Sequence, residues 1–138
     1  ESGAIRTESK NPTPERLQVI YQEVCELVEE YSPNTVAVEE IFFGQNKKTA
    51  GMVAQARGVI LLASEGTSVE GYSPLQVKKT VTGHGRANKE QMKMMVKRLL
   101  NLQTIPKPDD AADAIGIALC GGLNVHSAVP TSSKRNSF

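Results

Sequence analysis

The chain has 138 residues, 39% hydrophobic and 22% charged, with 4% aromatics and no Trp. That length suits one domain with a core built from aliphatics and Ala, needing neither disulfides nor a structural metal. No apolar run is long enough for a membrane-spanning helix, and residues 1–20 show no basic-then-apolar signal pattern.

Residues 3–8 read as a short strand, followed by a break at Asn11-Pro-Thr-Pro. Thr13 is expected to cap a helix over 14–31, with Pro14 at its first position. Leu17, Ile20, Val24, Leu27, Val28 and Tyr31 recur at helical spacing, and the opposite face is acidic. Residues 35–43, Thr-Val-Ala-Val-Glu-Glu-Ile-Phe-Phe, predict a buried strand. A second helix is expected over 49–65, with Gly51 and Gly58 inside it as sites of close helix packing. Val69 to Tyr72 is a short strand, Ser73-Pro74 a turn, 75–81 a helical or mixed segment and Gly83-His84-Gly85 a mobile loop. Asn88 and Gln91 have capping-box spacing for a third helix whose apolar face is Met92, Met95, Val96, Leu99 and Leu100. Beyond Pro106-Lys-Pro108, Asp109 or Asp110 caps a last helix through Cys120, which Gly121-Gly122 is expected to stop. These features divide the chain into a domain over 1–122 and a flexible tail over 123–138.

Strands alternating with helices predict an α/β sheet covered by helices, although three strands are few for one. The two cysteines, Cys25 and Cys120, lie far apart in apolar patterns, which points to a reduced, cytosolic setting.

Charge is polarised along the sequence. Residues 15–40 carry Glu15, Glu23, Glu26, Glu29, Glu30, Glu39 and Glu40 against Arg16 alone. Residues 78–98 carry Lys78, Lys79, Arg86, Lys89, Lys93, Lys97 and Arg98 against Glu90 alone. The net charge of +1 hides this, and the basic block is a candidate surface for nucleic-acid phosphates.

Glu39 stands in an apolar strand, where a carboxylate is costly to bury unless it is paired or binds a metal. Glu40 points to the other face. Asp110 and Asp113, three apart, share one face of the last helix. Capping explains an acid in the first turn but explains Asp113 less well. Carboxylates converging from a strand and a helix suit Mg²⁺ or Mn²⁺, and two such ions can drive phosphodiester hydrolysis. Lys78, Lys89 and neighbouring cations can neutralise phosphates, and Lys93 and Lys97 extend one basic face. One of Phe42 and Phe43 is expected to face the core and the other can wedge against or stack on an unpaired base, although by position alone the core reading wins for both. His84 can contact DNA or assist proton transfer, although a lone loop His more often does neither.

Val38-Glu-Glu-Ile-Phe-Phe-Gly44, Gln55-Ala-Arg-Gly58, Tyr72-Ser-Pro-Leu-Gln-Val-Lys78, Gly83-His-Gly-Arg-Ala-Asn-Lys89 and Asp110-Ala-Ala-Asp113-Ala together resemble the RuvC family of bacterial Holliday-junction resolvases. The motifs occur in order from about residue 3 to about residue 120. The resemblance implies an RNase H-like fold, a mixed central sheet flanked by helices. It also implies a homodimer that nicks two opposing strands of a four-way junction during recombination and repair, working with the RuvA–RuvB branch-migration complex. Glu39, Asp110 and Asp113 match the family's metal-binding carboxylates, expected to hold two Mg²⁺ ions with Mn²⁺ as a substitute. Lys78 and Lys89 match lysines acting near the scissile phosphate, with Lys89 counted as catalytic. Phe42 matches an aromatic that disrupts base pairs. Phe42, Lys78, Lys79, His84, Arg86, Lys89 and Lys93 are the expected DNA contacts. The helix carrying Gln55 to Gly58 is expected near the dimer interface. The family's opening strand, with its Asp-Pro-Gly motif and first metal ligand, has no match here, so the first strands are expected to be missing. Two alternatives remain at this point: a junction-binding module without catalysis, and another RNase H-like nuclease.

Overall fold

A computed structural model describes residues 1–40 and 47–127, leaving the side chains of 47, 48 and 125–127 aside. Helix α1 spans Thr13–Tyr31, strand β1 Thr35–Glu39, α2 Lys47–Ala63, β2 Ser68–Tyr72, α3 Pro74–Thr82, α4 Lys89–Leu99 and α5 Asp109–Ser127. The strands pair in parallel, with Thr35 opposite Ser68 and Glu39 opposite Tyr72. Parallel strands need a crossover, and α2 supplies it.

Helix α5 packs against β1 and β2 and also against α3 and α4, whereas α1 and α2 pack on each other. The core lies around α5. Tyr72, Val77, Val81, Ala87, Met92, Val96 and Cys120 form it, with Ala37 and Ile117 packed alongside. Val96 is only 1% exposed, and burying such a side chain contributes about 2 kcal/mol. Among the described residues no helix is long and apolar enough to cross a membrane.

Local chemistry explains most boundaries. The Ser73 hydroxyl accepts from the Gln76 N–H while the Gln76 side chain accepts from the Ser73 N–H. Asn88 and Gln91 repeat that arrangement at α4, as their spacing predicts. Ser32 ends α1 in the left-handed conformation at φ 42°.

Several expectations are corrected. Residues 3–8 form no strand, because a strand exists only as one rung of a ladder and this segment pairs with none of the described residues. Two strands, not three, are therefore present among those residues. Thr13 lies inside α1; Pro12 occupies the cap, and no side chain caps that end. The second helix runs over 47–63 rather than 49–65. A Cβ on Gly51 or Gly58 would meet nothing within 4 Å, so neither marks a close helix crossing among the described residues. On α4 only Met92 and Val96 are buried, and Leu99 and Leu100 are nearly half exposed, since the apolar face outreaches its partners.

The largest departure is at α5, which continues through Gly121-Gly122 to Ser127. A Cβ on Gly121 would stand 3.2 Å from the Ala37 Cβ. Gly121 is thus where the helix lies directly on β1 rather than where it stops. Of the expected tail, 123–127 are helical, and 128–138 lie outside the described residues.

Candidate active site

The end of β1, the first turn of α4 and the first turns of α5 converge on a cavity of about 260 Å³. Glu39, Asp113, Lys78 and Lys89 supply its polar lining, and Val77 and Met92 its apolar wall. Each is placed by a feature already described. Glu39 is the last residue of β1, opposite Tyr72. Lys78 stands in the middle of α3, and Lys89 is the first residue of α4, directly after its Asn88 cap. Asp113 lies one turn into α5, two turns before the glycine that seats this helix on β1.

The Glu39 carboxyl is held above the usual glutamate range, first because packing takes water from it and second because the Asp113 carboxylate faces it. Two like charges sharing a partly dry pocket create a demand for a cation. Lys89 meets part of it: its ammonium stands 3.4 Å from Asp113 and 3.6 Å from Asp109. Both distances exceed that of a direct charged hydrogen bond, about 2.8 Å, so Lys89 is shared rather than fixed. Its side chain is 51% exposed, which leaves it able to reach a bound anion. Arg57 of α2 donates to the Glu39 carbonyl at 3.4 Å, tying that helix to the strand end.

Glu39, Asp113, Lys78 and Lys89 are therefore brought together as the sequence predicts. Asp110 does not line the cavity, and among the described residues no three Asp, Glu, His or Cys side chains form a metal-holding group. Successive helical positions point about 100° apart, so Asp113 enters the cavity while Asp110 stands on a neighbouring part of the turn, exposed. Lys79, His84 and Arg86 lie on the exposed surface of α3 and of the α3–α4 loop. The His84 carbonyl accepts from the Thr82 hydroxyl. Phe42 and Phe43 lie outside the described residues.

Two residues stand in surroundings that differ from those expected. Lys93, expected on a phosphate-binding face, has a side chain only 11% exposed, with its ammonium 2.8 Å from Asp109 and 3.1 Å from Glu90. Asp109, read only as a helix cap, holds Lys93 and also approaches Lys89. The spacing that signals this is present in the sequence: Asp109 and Asp113 are four apart, as are Lys89 and Lys93.

Glu39 and Asp113 offer hard, anionic oxygens, the ligand type that Mg²⁺ and Mn²⁺ prefer, and their mutual repulsion would be relieved by such an ion. A larger cavity of about 650 Å³ between the N-terminus and α5 is lined mainly by Leu100, Leu102, Ile115, Leu119 and Leu123 and gathers no comparable set of charges.

The family described as crossover junction endodeoxyribonuclease RuvC matches residues 1–121. The chain belongs to the RuvC family. The RuvC protein of Alkaliphilus oremlandii is 53% identical over 120 residues, covering 86% of this chain and 73% of that protein. That of Natranaerobius thermophilus is also 53% identical, over 74% of its length. The structure of Thermus thermophilus RuvC superposes with a TM-score of 0.84 at 36% identity, covering 90% of this chain and 76% of that one. T. thermophilus RuvC in complex with a Holliday junction substrate gives a TM-score of 0.86. The fold is thus RNase H-like, and the RuvC family to which the chain belongs is one of metal-dependent nucleases.

Proposed function

We propose that this protein resolves four-way DNA junctions by metal-dependent phosphodiester hydrolysis at the Glu39–Asp113 cavity. The observation that carries the reading is the pairing of two mutually repelling carboxylates with two cavity-lining lysines in a RuvC chain. Glu39 and Asp113 would hold Mg²⁺, or Mn²⁺ in its place, with Asp110 of the preceding turn as a third of the family's carboxylates and two ions per site. When bound, Mg²⁺ supplies Lewis-acid stabilisation of the phosphodiester and a nucleophilic water.

The chain's own residues do the rest. Lys89 puts positive charge at the cavity, where a scissile phosphate gains negative charge in the transition state, and Lys78 beside it holds the DNA backbone. Val77 and Met92 exclude water from one wall, which strengthens those interactions. Lys79 and Arg86 extend the positive surface outward along the junction arms, His84 adds a DNA contact beside them, and Phe42 is the residue assigned to disrupt base pairs. A homodimer gives two such sites related by symmetry, as paired nicks require, with the α2 face near Gln55 as the interface. RuvA and RuvB as partners and a cytoplasmic location complete the reading.

The test is a synthetic four-way junction incubated with the full-length gene product and Mg²⁺. Paired, symmetric nicks are expected. Asp113→Asn should abolish cutting and leave junction binding intact. Tight junction binding without nicks from a folded protein would instead establish a binding module, and preferential cutting of plain duplex or RNA–DNA hybrid another nuclease.

A further inference from the structure

Lys93 is a charged side chain that the proposed reaction does not use, and its environment is unlike that of a phosphate contact. Its stem is packed, its exposure is 11%, and its ammonium is spent on Asp109 and Glu90. The Asp109 bond at 2.8 Å is a direct charged hydrogen bond. That fixes the Asp109 carboxylate, whose other oxygen lies 3.6 Å from Lys89. Lys89 in turn stands 3.4 Å from Asp113. The order is Lys93, Asp109, Lys89, Asp113: an anchored pair followed by a shared, mobile cation.

From this geometry we infer that Asp109, pinned by Lys93, is a positioning residue that keeps the Lys89 ammonium at the cavity, shared between the two acids rather than paired with Asp113 alone. Without the Asp109 carboxylate, Asp113 would be the one acid left within ion-pair distance of Lys89 among the described residues. With two acids to share, Lys89 is held between them, and Asp113 keeps oxygen available to a divalent ion. The inference rests on the reading of Asp113 and Lys89 above, and adds residues from outside the expected metal set. Asp109 acts through Lys89 and not on the substrate.

The test uses Mn²⁺ and the full-length gene product, by calorimetric titration without DNA and by junction-cleavage kinetics. Asp109→Asn should weaken Mn²⁺ binding and lower kcat, each by about fivefold to tenfold, with KM for the junction unchanged within about twofold, as for a lost orientation effect. In a Lys89→Ala background the same substitution should change neither quantity, because the competing cation is gone. Lys93→Met should reproduce Asp109→Asn, and Lys93→Arg should restore both readouts. Equal losses from Asp109→Asn with and without Lys89 would overturn the inference, since Asp109 would then act through its own charge. So would a Lys93→Met variant that chiefly raises KM and flattens the salt dependence, the mark of a phosphate contact. If the wild-type protein binds Mn²⁺ but cuts no junction, the functional reading fails separately, and the titrations still decide the positioning role.

Discussion

Replacing Glu39 by Gln sets the stability of this site against its chemistry. The amide keeps the side chain's size and removes its charge. The folded protein binds the Glu39 proton more tightly than the unfolded chain does, because of lost hydration first and the Asp113 carboxylate second. Between the ordinary glutamate pKa and the raised one, the folded state therefore carries the extra proton. Stability falls as pH rises through that window, and the whole cost is present near neutral pH. Glu39 is exposed enough for water to screen it, so a like-charge pair of this kind costs about 0.5 kcal/mol. A chain of 138 residues unfolds with an entropy on the order of 0.3 kcal/mol/K, so Glu39→Gln should raise Tm by about 2 °C in metal-free buffer near neutral pH. Well below the glutamate range the two proteins should melt together. Saturating Mg²⁺ should reverse the order. An ion at about a hundred times its Kd stabilises the wild type by about 2.7 kcal/mol, or about 9 °C, and the variant gains less. Thermal melts by circular dichroism in EDTA and in Mg²⁺, each at two pH values, check this. A variant that melts below the wild type in EDTA near neutral pH would refute the reasoning, because the carboxylate would then be making a net stabilising contact.

Five further substitutions have expected outcomes. Lys89→Ala should slow junction cleavage far more than it weakens binding, whereas Lys78→Ala should weaken binding across junction sequences and reduce the salt slope by about 1; filter binding and single-turnover kinetics separate them. Asn88→Ala removes the side-chain oxygen that accepts from the Gln91 N–H at the residue before Lys89, and should cost about 1 kcal/mol in denaturant unfolding while slowing cleavage. Gly121→Val forces a larger side chain into the 3.2 Å gap beside Ala37, and should destabilise by about 2 kcal/mol. Gly122→Ala, facing open space, should be neutral or stabilising by up to about 1 kcal/mol.

The sequence alone determined the elements whose causes are local. Asn88 with Gln91 marks the start of α4, the apolar spacing of α1 predicts its helix, and the strand read over 35–43 contains β1, Thr35–Glu39; in each the signal lies within a few residues. The acids and lysines were legible too, because a carboxylate in an apolar strand and a basic run are conspicuous in any order of the fold. The ordered motifs carried the family and with it the fold class. Decisions between distant segments were not legible. Residues 3–8 have strand-like composition, but a strand needs a neighbour, and composition cannot supply one. Gly121-Gly122 has the look of a helix stop, yet Ala37, far away in sequence, is what makes Gly121 the seat of α5 on β1. Lys93 reads as one more cation on a basic face until the packing of α4 against α5 hands it to Asp109. Local hydrogen bonding and periodicity are written residue by residue, whereas which charge meets which is set only when helices dock.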